Sequence, residues 1–241
     1  MAEEFNAHHH RRARNQGFQV AAAVSLYGVS FGALSVALGF SIGQTMVLSL
    51  LMFSGASQFA FIGIVATGGL TAVGAAVASA GLLGVRNGLY ALRMSPIIGP
   101  GFFKRALAAQ LTVDESTAVA VAQSDLTSSR HGFWATAFSL YAGWNISTLI
   151  GAIAGDALGD VHTWGLDAIA AAAFLALLWP RLTSREPVVV AIGAAAVTIV
   201  LIPVVPAGIP VLAAAAVGIM SGIYRHRVAP HAPERTEGGA S

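Results

Sequence analysis

From Asn15 to Val85 the chain carries no Asp, Glu, Lys, Arg or His. This run is roughly 70 residues long, whereas one helix needs only about 20 apolar residues to cross the hydrocarbon core of a bilayer. A water-soluble domain has no place for such a stretch, because its helices and strands must present a solvated face. Only 10% of all residues are charged and 56% are hydrophobic, against about 25% charged in an average soluble domain. Membrane embedding is the first conclusion.

The net charge of +2 is small, and no basic stripe interleaves with aromatics, so nucleic acid is not an expected partner. The absence of cysteine excludes disulfides, thiolate metal sites and cysteine nucleophiles. His8, His9 and His10 beside Arg11, Arg12 and Arg14 have no neighbouring ligand and predict a disordered tail over residues 1–17 rather than a metal site or tag. A second polar tail is expected over 225–241, leaving one transmembrane domain over 18–224. The chain has no nucleophile elbow, HExxH, P-loop or GxGxxG after a strand. It is therefore not expected to be an enzyme, no cofactor is indicated, and ATP could drive it only through another subunit.

Hydropathy separates seven candidate helices: Phe18–Phe40, Gln44–Ala66, Leu70–Leu92, Phe133–Gly155, Leu166–Pro180, Pro187–Pro203 and Val205–Tyr224. No alternation of apolar and polar residues supports a β-barrel. The expected fold is an all-α, polytopic membrane helix bundle of about seven spans. Ser25-Leu26-Tyr27 is echoed three spans later by Ser139-Leu140-Tyr141, which suggests a 3+3 repeat. A three-span unit repeated once must be inverted. Basic residues mark the cytoplasmic side, but they conflict here. Seven full spans put Arg93, Lys104, Arg105 and Arg130 inside and Arg11, Arg12 and Arg14 outside. An extra crossing between Ala106 and Gln123 reverses the N-terminus but leaves Arg93, Lys104 and Arg105 outside. Seven spans, with Ala106–Gln123 as an amphipathic or re-entrant helix, is the favoured arrangement.

Polar groups inside apolar spans mark candidate site residues, because lipid penalises them. Gly55 opens Gly55-Ala56-Ser57-Gln58 mid-span, and Gly28 and Gly32 flank Ser30 in the first span. Glycines at such points can open a helix and free backbone groups for a zwitterion, or simply let helices pack closely. Gln58 either bonds another helix or lines a cavity, and Asn145 is its counterpart in the fourth span. Arg86 and Asn87 lie in the third span, where Arg86 either holds a substrate carboxylate or pairs with an acid. Asp114 and Glu115 lie together in the Ala106–Gln123 segment, as a proton relay if buried or as its polar face otherwise.

Five motifs in order carry a resemblance: Gly28-Val29-Ser30-Phe31-Gly32, Phe53-Ser54-Gly55-Ala56-Ser57-Gln58-Phe59, Leu83-Gly84-Val85-Arg86-Asn87-Gly88-Leu89-Tyr90, Thr112-Val113-Asp114-Glu115, and Gly165-Leu166-Asp167 leading to Ala173-Phe174-Leu175-Ala176-Leu177-Leu178. Over Phe18–Tyr224 the chain resembles AzlC/YgaZ-type permeases, the large subunits of branched-chain amino acid exporters. The resemblance implies a multi-pass protein of a bacterial cytoplasmic membrane. It also implies proton-driven export of valine, leucine, isoleucine or related amino acids, and a small membrane partner of the AzlD/YgaH type. Asn87 departs from the family, which often carries histidine there, so a titrating role at that position is absent. The residues' own chemistry, rather than the resemblance, supplies the expected site: Phe31 and Phe59 would cover the substrate side chain. Arg86, with backbone opened near Gly28 and Gly55, would hold its carboxylate, Gln58 or Asn145 its ammonium, and Asp114 or Glu115 the proton. The rival is a scaffold or sensor subunit that only stabilises a partner.

Overall fold

The computed structural model describes residues 2–158, 182–205 and 209–228, together with 175, 178 and 179. The regular elements among them are all helical. They are α1 (Ala2–Ala37), α2 (Ile42–Leu51), α3 (Gly55–Gly68), α4 (Val73–Ile98), α5 (Phe102–Leu111), α6 (Asp114–Val121), α7 (Leu126–Leu158), α8 (Arg185–Leu201) and α9 (Ile209–Val228). The chain forms two compact units, Met1–Ala176 and Leu177–Ser241. The second contains the packed pair α8 and α9, with Gly193 lying against Val217. The span expected at Leu166–Pro180, with most of the tail beyond Tyr224, lies outside the described residues.

The first unit is organised on α1 and α7, which pack along most of their length. Gly17 lies against Thr136, Gly28 against Trp144 and Ser147, Gly32 against Thr148 and Ala152, and Ala33 against Gly155. Partners rise together along both helices, so the two run parallel. Small residues permit this closeness: a Cβ at Gly28 would sit 2.8 Å from the carbonyl oxygen of Trp144. The contact continues down to Ala13, which is fully buried. Residues 2–17, expected as a tail, are therefore the opening turns of α1. The parallel course also means that the Ser-Leu-Tyr echo does not relate inverted helices, since Ser25 lies directly against Gly143.

The stretch expected as a second span, Gln44–Ala66, is not one continuous helix but two, α2 and α3. A capping box between Ser41 and Gln44 starts α2, which then descends beside the first pair: Thr45 bonds Ser35, Ser49 bonds Thr148, and Leu50 O accepts from Tyr141. After a break at Met52–Ser54, α3 climbs back, with Gln58 beside Trp144, Phe59 beside Phe31 and Phe61 beside Phe40. The pair is a helical hairpin whose apex lies level with Tyr141–Trp144, midway along α7. Gly69, with φ +60°, and a short 3-10 turn at Gly69–Ala72 then reverse the chain into α4. That helix descends from Ala80, bonded by Ser57, to Ile97, whose carbonyl accepts from Arg130.

Gly99 (φ +83°) and Gly101 (φ +116°) flank Pro100 and turn the chain once more. Helix α5 rises from this end until Gln110 reaches Leu50 O and Leu51 O. Helix α6 returns, with Val119 against Gly132 and Gln123 bonded to Gln16. The Ala106–Gln123 segment thus belongs to a second hairpin, entering the unit from the end opposite to α2 and α3. An inverted relation exists one unit earlier than the echo implied: α1 followed by α2–α3, then α4 followed by α5–α6.

This course removes the charge conflict. With α2–α3 returning to its own side, Arg11, Arg12, Arg14, Arg93, Lys104, Arg105 and Arg130 all fall toward one end of the unit, while the turns 38–41 and 68–72 at the other end carry no charge. Helices α1, α4 and α7 are the long elements of the unit, and apolar stretches sufficient to cross a bilayer lie in His9–Ala37, Gly55–Ile98 and Leu126–Ala157. Exposed Leu89, Leu92, Ile146, Ile150 and Ile153 suit a lipid-facing surface.

Asp125, outside the spans, caps α7: its Oδ1 accepts the Ser128 amide at 2.8 Å. Ser128, through its hydroxyl first and then its amide, holds the Asp125 carboxyl below the usual carboxylate range. The hydroxyl makes no bond of good geometry, so the amide contact carries the cap. A lowered native value means the cap's contribution is complete above the ordinary carboxylate pKa, about 3.9, and is lost as pH falls through the native value. Detergent-solubilised protein should accordingly lose thermal stability on acidification below about pH 4, and Asp125→Ala should reduce that acid-dependent loss. Identical pH profiles for the two proteins would contradict the assignment.

Candidate functional site

The two hairpin apices meet in the middle of the unit. At the first, Met52 (φ −101°, ψ 68°) leaves the helix in a tight turn, its carbonyl accepting the Ser54 amide at 2.7 Å, and Ser54 (φ −156°, ψ 102°) is extended. This leaves the last carbonyls of α2 and the first amides of α3 without helical partners. Side chains from distant elements satisfy the carbonyls. Gln58 Nε2 donates to Met52 O at 2.7 Å, Tyr141 Oη to Leu50 O at 3.1 Å, and Gln110 Nε2 to Leu50 O at 3.1 Å and Leu51 O at 3.2 Å. At the second apex Thr112 (φ −80°, ψ 109°) and Val113 (φ −133°, ψ 176°) are extended. There Ser116 Oγ accepts the Val113 amide at 3.0 Å and donates to Leu111 O at 3.0 Å.

Between the apices and α4 lies a cavity of about 360 Å³, bordered by Ser54 and Ser57 of the first hairpin, Gly84 and Asn87 of α4, and Gln110 and Thr112 near the second apex. Met52, Phe53, Val77 and Ala80 supply its apolar wall. Two polar features stand out here, and the Ser54 hydroxyl is taken by Ser57 Oγ at 3.0 Å. Ser54 makes no side-chain cap on the first turn of α3, and Asn87 Oδ1 is buried without a hydrogen bond. The opening at Gly55 occurs where the sequence suggests it, with the glycine facing the Trp144 ring.

Arg86, one residue before Asn87, donates from Nη1 to Asp114 Oδ2 at 2.8 Å, with both side chains about one-third exposed (31% and 30%). Of the two alternatives for Arg86, the acid partner is the one observed. The pair ties α4 to the first turn of α6, where the helix dipole also favours a carboxylate. Glu115 occupies the next position of the same turn and is partly buried.

The remaining sequence candidates lie apart from the cavity. Helix α1 is unbroken through Gly28 and Gly32, so no backbone opens there, and both glycines are spent on packing against α7. Phe31 and Phe59 are buried edge to face, with centroids 5.5 Å apart, and do not line the cavity. Gln58 is fully buried, donating to Met52 O and accepting from Trp144 Nε1 at 3.1 Å. It bonds neighbouring elements and does not line the cavity. Asn145 bonds Tyr141 O one turn back at 2.7 Å, with its oxygen unpartnered. Trp144 and Gln110, which bond the first hairpin, were not singled out by sequence reasoning. The signal that marked Gln58, an amide in an apolar run, applies equally to Gln110. Nothing local marks Trp144, whose partner is 86 positions away.

A protein-family model described as AzlC protein matches residues 19–158, the stretch from α1 to the end of α7. No curated protein and no solved structure matches the chain.

Proposed function

Because the chain belongs to the AzlC family, a family of membrane transport proteins, we propose that it is the large permease subunit of a secondary exporter of branched-chain or related apolar amino acids. The observation that supports the proposal is the mid-unit cavity with an apolar wall, the unpartnered Asn87 oxygen and a first turn of α3 that has no side-chain cap. Uncapped amides at a helix N-terminus suit a carboxylate, and broken helices at membrane depth commonly use them so. The buried Asn87 oxygen is an acceptor suited to an ammonium. The wall formed by Met52, Phe53, Val77 and Ala80 takes the branched side chain. Arg86, already paired, does not hold the carboxylate in this arrangement.

Coupling to the proton gradient is assigned to Asp114. Protonating it removes the charge that holds Arg86 and loosens α6 from α4, beside the apex of the second hairpin. A small subunit of the AzlD/YgaH type is the proposed partner, and the membrane is proposed to be the bacterial cytoplasmic membrane. Its cytoplasmic face would be the one bearing the clustered Arg and Lys residues.

The test is efflux of radiolabelled valine, leucine and methionine from cells with and without the gene, with a protonophore control. Gly84→Leu places a side chain in the cavity, and the nearest atom to its Cβ is Ser57 Oγ at 3.8 Å, so folding should survive. Efflux should fall by about tenfold or more, equivalent to roughly 1.4 kcal/mol. Undiminished valine efflux by well-folded Gly84→Leu protein would remove the cavity as the binding site.

A further inference from the structure

A second concavity, of about 560 Å³, lies on the outer face of α1 and α7 at the end that carries the basic residues. Arg14, Arg130 and His131 form its rim, and Phe18, Trp134 and Phe138 its floor. Arg130 Nε donates to Ile97 O at 2.6 Å, which fixes the guanidinium at the rim, and its terminal nitrogens make no hydrogen bond among the described residues. Arg14 is exposed and forms no ion pair among the described residues. The floor is exposed too: Phe18 and Phe138 are each 52% accessible, and Trp134 stacks on Phe138 at 5.4 Å.

Depth distinguishes this groove from an ordinary lipid-facing surface. Arg130 precedes the Tyr141–Trp144 level by 11 to 14 residues, roughly 16–21 Å of helix, while half the hydrocarbon core is about 15 Å. With the level of the hairpin apices taken as the bilayer midplane, the cations stand at headgroup depth. Trp134 and Phe138 lie one to two turns further in, at acyl-chain depth. A ligand that fits must carry negative charge at one end and hydrocarbon at the other.

We propose that this groove is a specific site for an anionic phospholipid of the leaflet on the basic side. Its phosphate meets Arg14, Arg130 and His131, and its acyl chain lies along Phe18, Trp134 and Phe138. Basic pockets between spanning helices have this character. The site is separate from the cavity and does not depend on the transport reading.

Full-length protein in neutral detergent is titrated with phosphatidylglycerol, phosphatidylcholine and glycerol 3-phosphate, and retained lipid is read by native mass spectrometry. Wild-type protein should retain phosphatidylglycerol in preference to phosphatidylcholine, and glycerol 3-phosphate should not compete. Arg14→Gln should weaken retention about fivefold, corresponding to about 1 kcal/mol per basic residue near an anionic surface. Arg11→Gln, on the same helix but away from the groove, should leave it unchanged. A photoactivatable phosphatidylglycerol should label residues 134–138. Equal retention of the two lipids, equal behaviour of the two arginine variants, or competition by glycerol 3-phosphate would overturn the assignment. So would crosslinks from 134–138 to another membrane protein in place of lipid.

Discussion

Asp114→Asn is expected to abolish proton-driven amino acid efflux, with at least a tenfold loss and a correspondingly flat response to a protonophore. Arg86 would then lie within an apolar helix opposite a neutral amide. With both side chains about one-third exposed, water screens part of the interaction, so the stability cost should stay near the roughly 1 kcal/mol typical of accessible pairs. Function should suffer more than stability, because asparagine cannot take up or release the proton. Asp114→Glu keeps a titrating group and should retain part of the activity. The double variant Arg86→Gln/Asp114→Asn separates the alternatives. If the pair is merely a clamp, neutralising both sides restores transport; if it couples, transport remains absent in folded protein. Glu115→Gln should act more weakly, because Asp114 is the acid bonded to Arg86. Unchanged efflux in both single acid variants would exclude the coupling role.

The largest structural effect should come from Gly32→Leu or Gly151→Leu. A Cβ at Gly32 would fall inside the carbonyl of Thr148, and one at Gly151 inside that of Val29. Backbone cannot rotate away as a side chain can, so the whole α1–α7 contact must widen. Overpacking of an adaptable core costs about 1–3 kcal/mol, and here ~3 kcal/mol or more is expected, together with loss of the mid-unit hydrogen bonds that α7 provides. Thermal midpoints of detergent-solubilised protein, followed by size exclusion, should drop sharply for both. Gly74→Ala meets nothing within 4 Å and should be neutral or slightly stabilising, given the helix propensity of alanine. A Gly32→Leu protein melting like wild type would mean that the helices are not held at this distance.

How much of this was legible depended on whether a signal was local. The charge-free run from Asn15 to Val85 revealed lipid as solvent, and the polar cluster after Ser54 marked a helix opening where one occurs. What hydropathy could not distinguish is a span from a hairpin. Gln44–Ala66 is apolar throughout, and a segment that enters and returns needs the same side chains as one that crosses. Counting it as a crossing created the conflict over Arg11, Arg12 and Arg14, so the charge pattern contained the correction without locating it. Gly28 and Gly32 misled for a related reason. Glycine beside serine suits both an opened helix and a tight contact, and the decision rests with Thr148 and Ala152, more than 100 positions away. Gln58 and Trp144 likewise find each other only once α3 and α7 are side by side.

The parallel packing of α1 on α7 bears on how the polypeptide is made. The surface of α1 that receives α7 is exposed from the moment that helix leaves the ribosome, and its partner emerges about 115 residues later. At roughly 5–20 residues per second this is a wait of about 6–23 s, during which the small-residue groove has no occupant from its own chain. Neither hairpin can settle earlier, since each leans on α7 through Tyr141, Trp144 or Gly132. Maturation should therefore begin only once translation has passed Leu158, and a nascent chain arrested before that point should remain open to proteases.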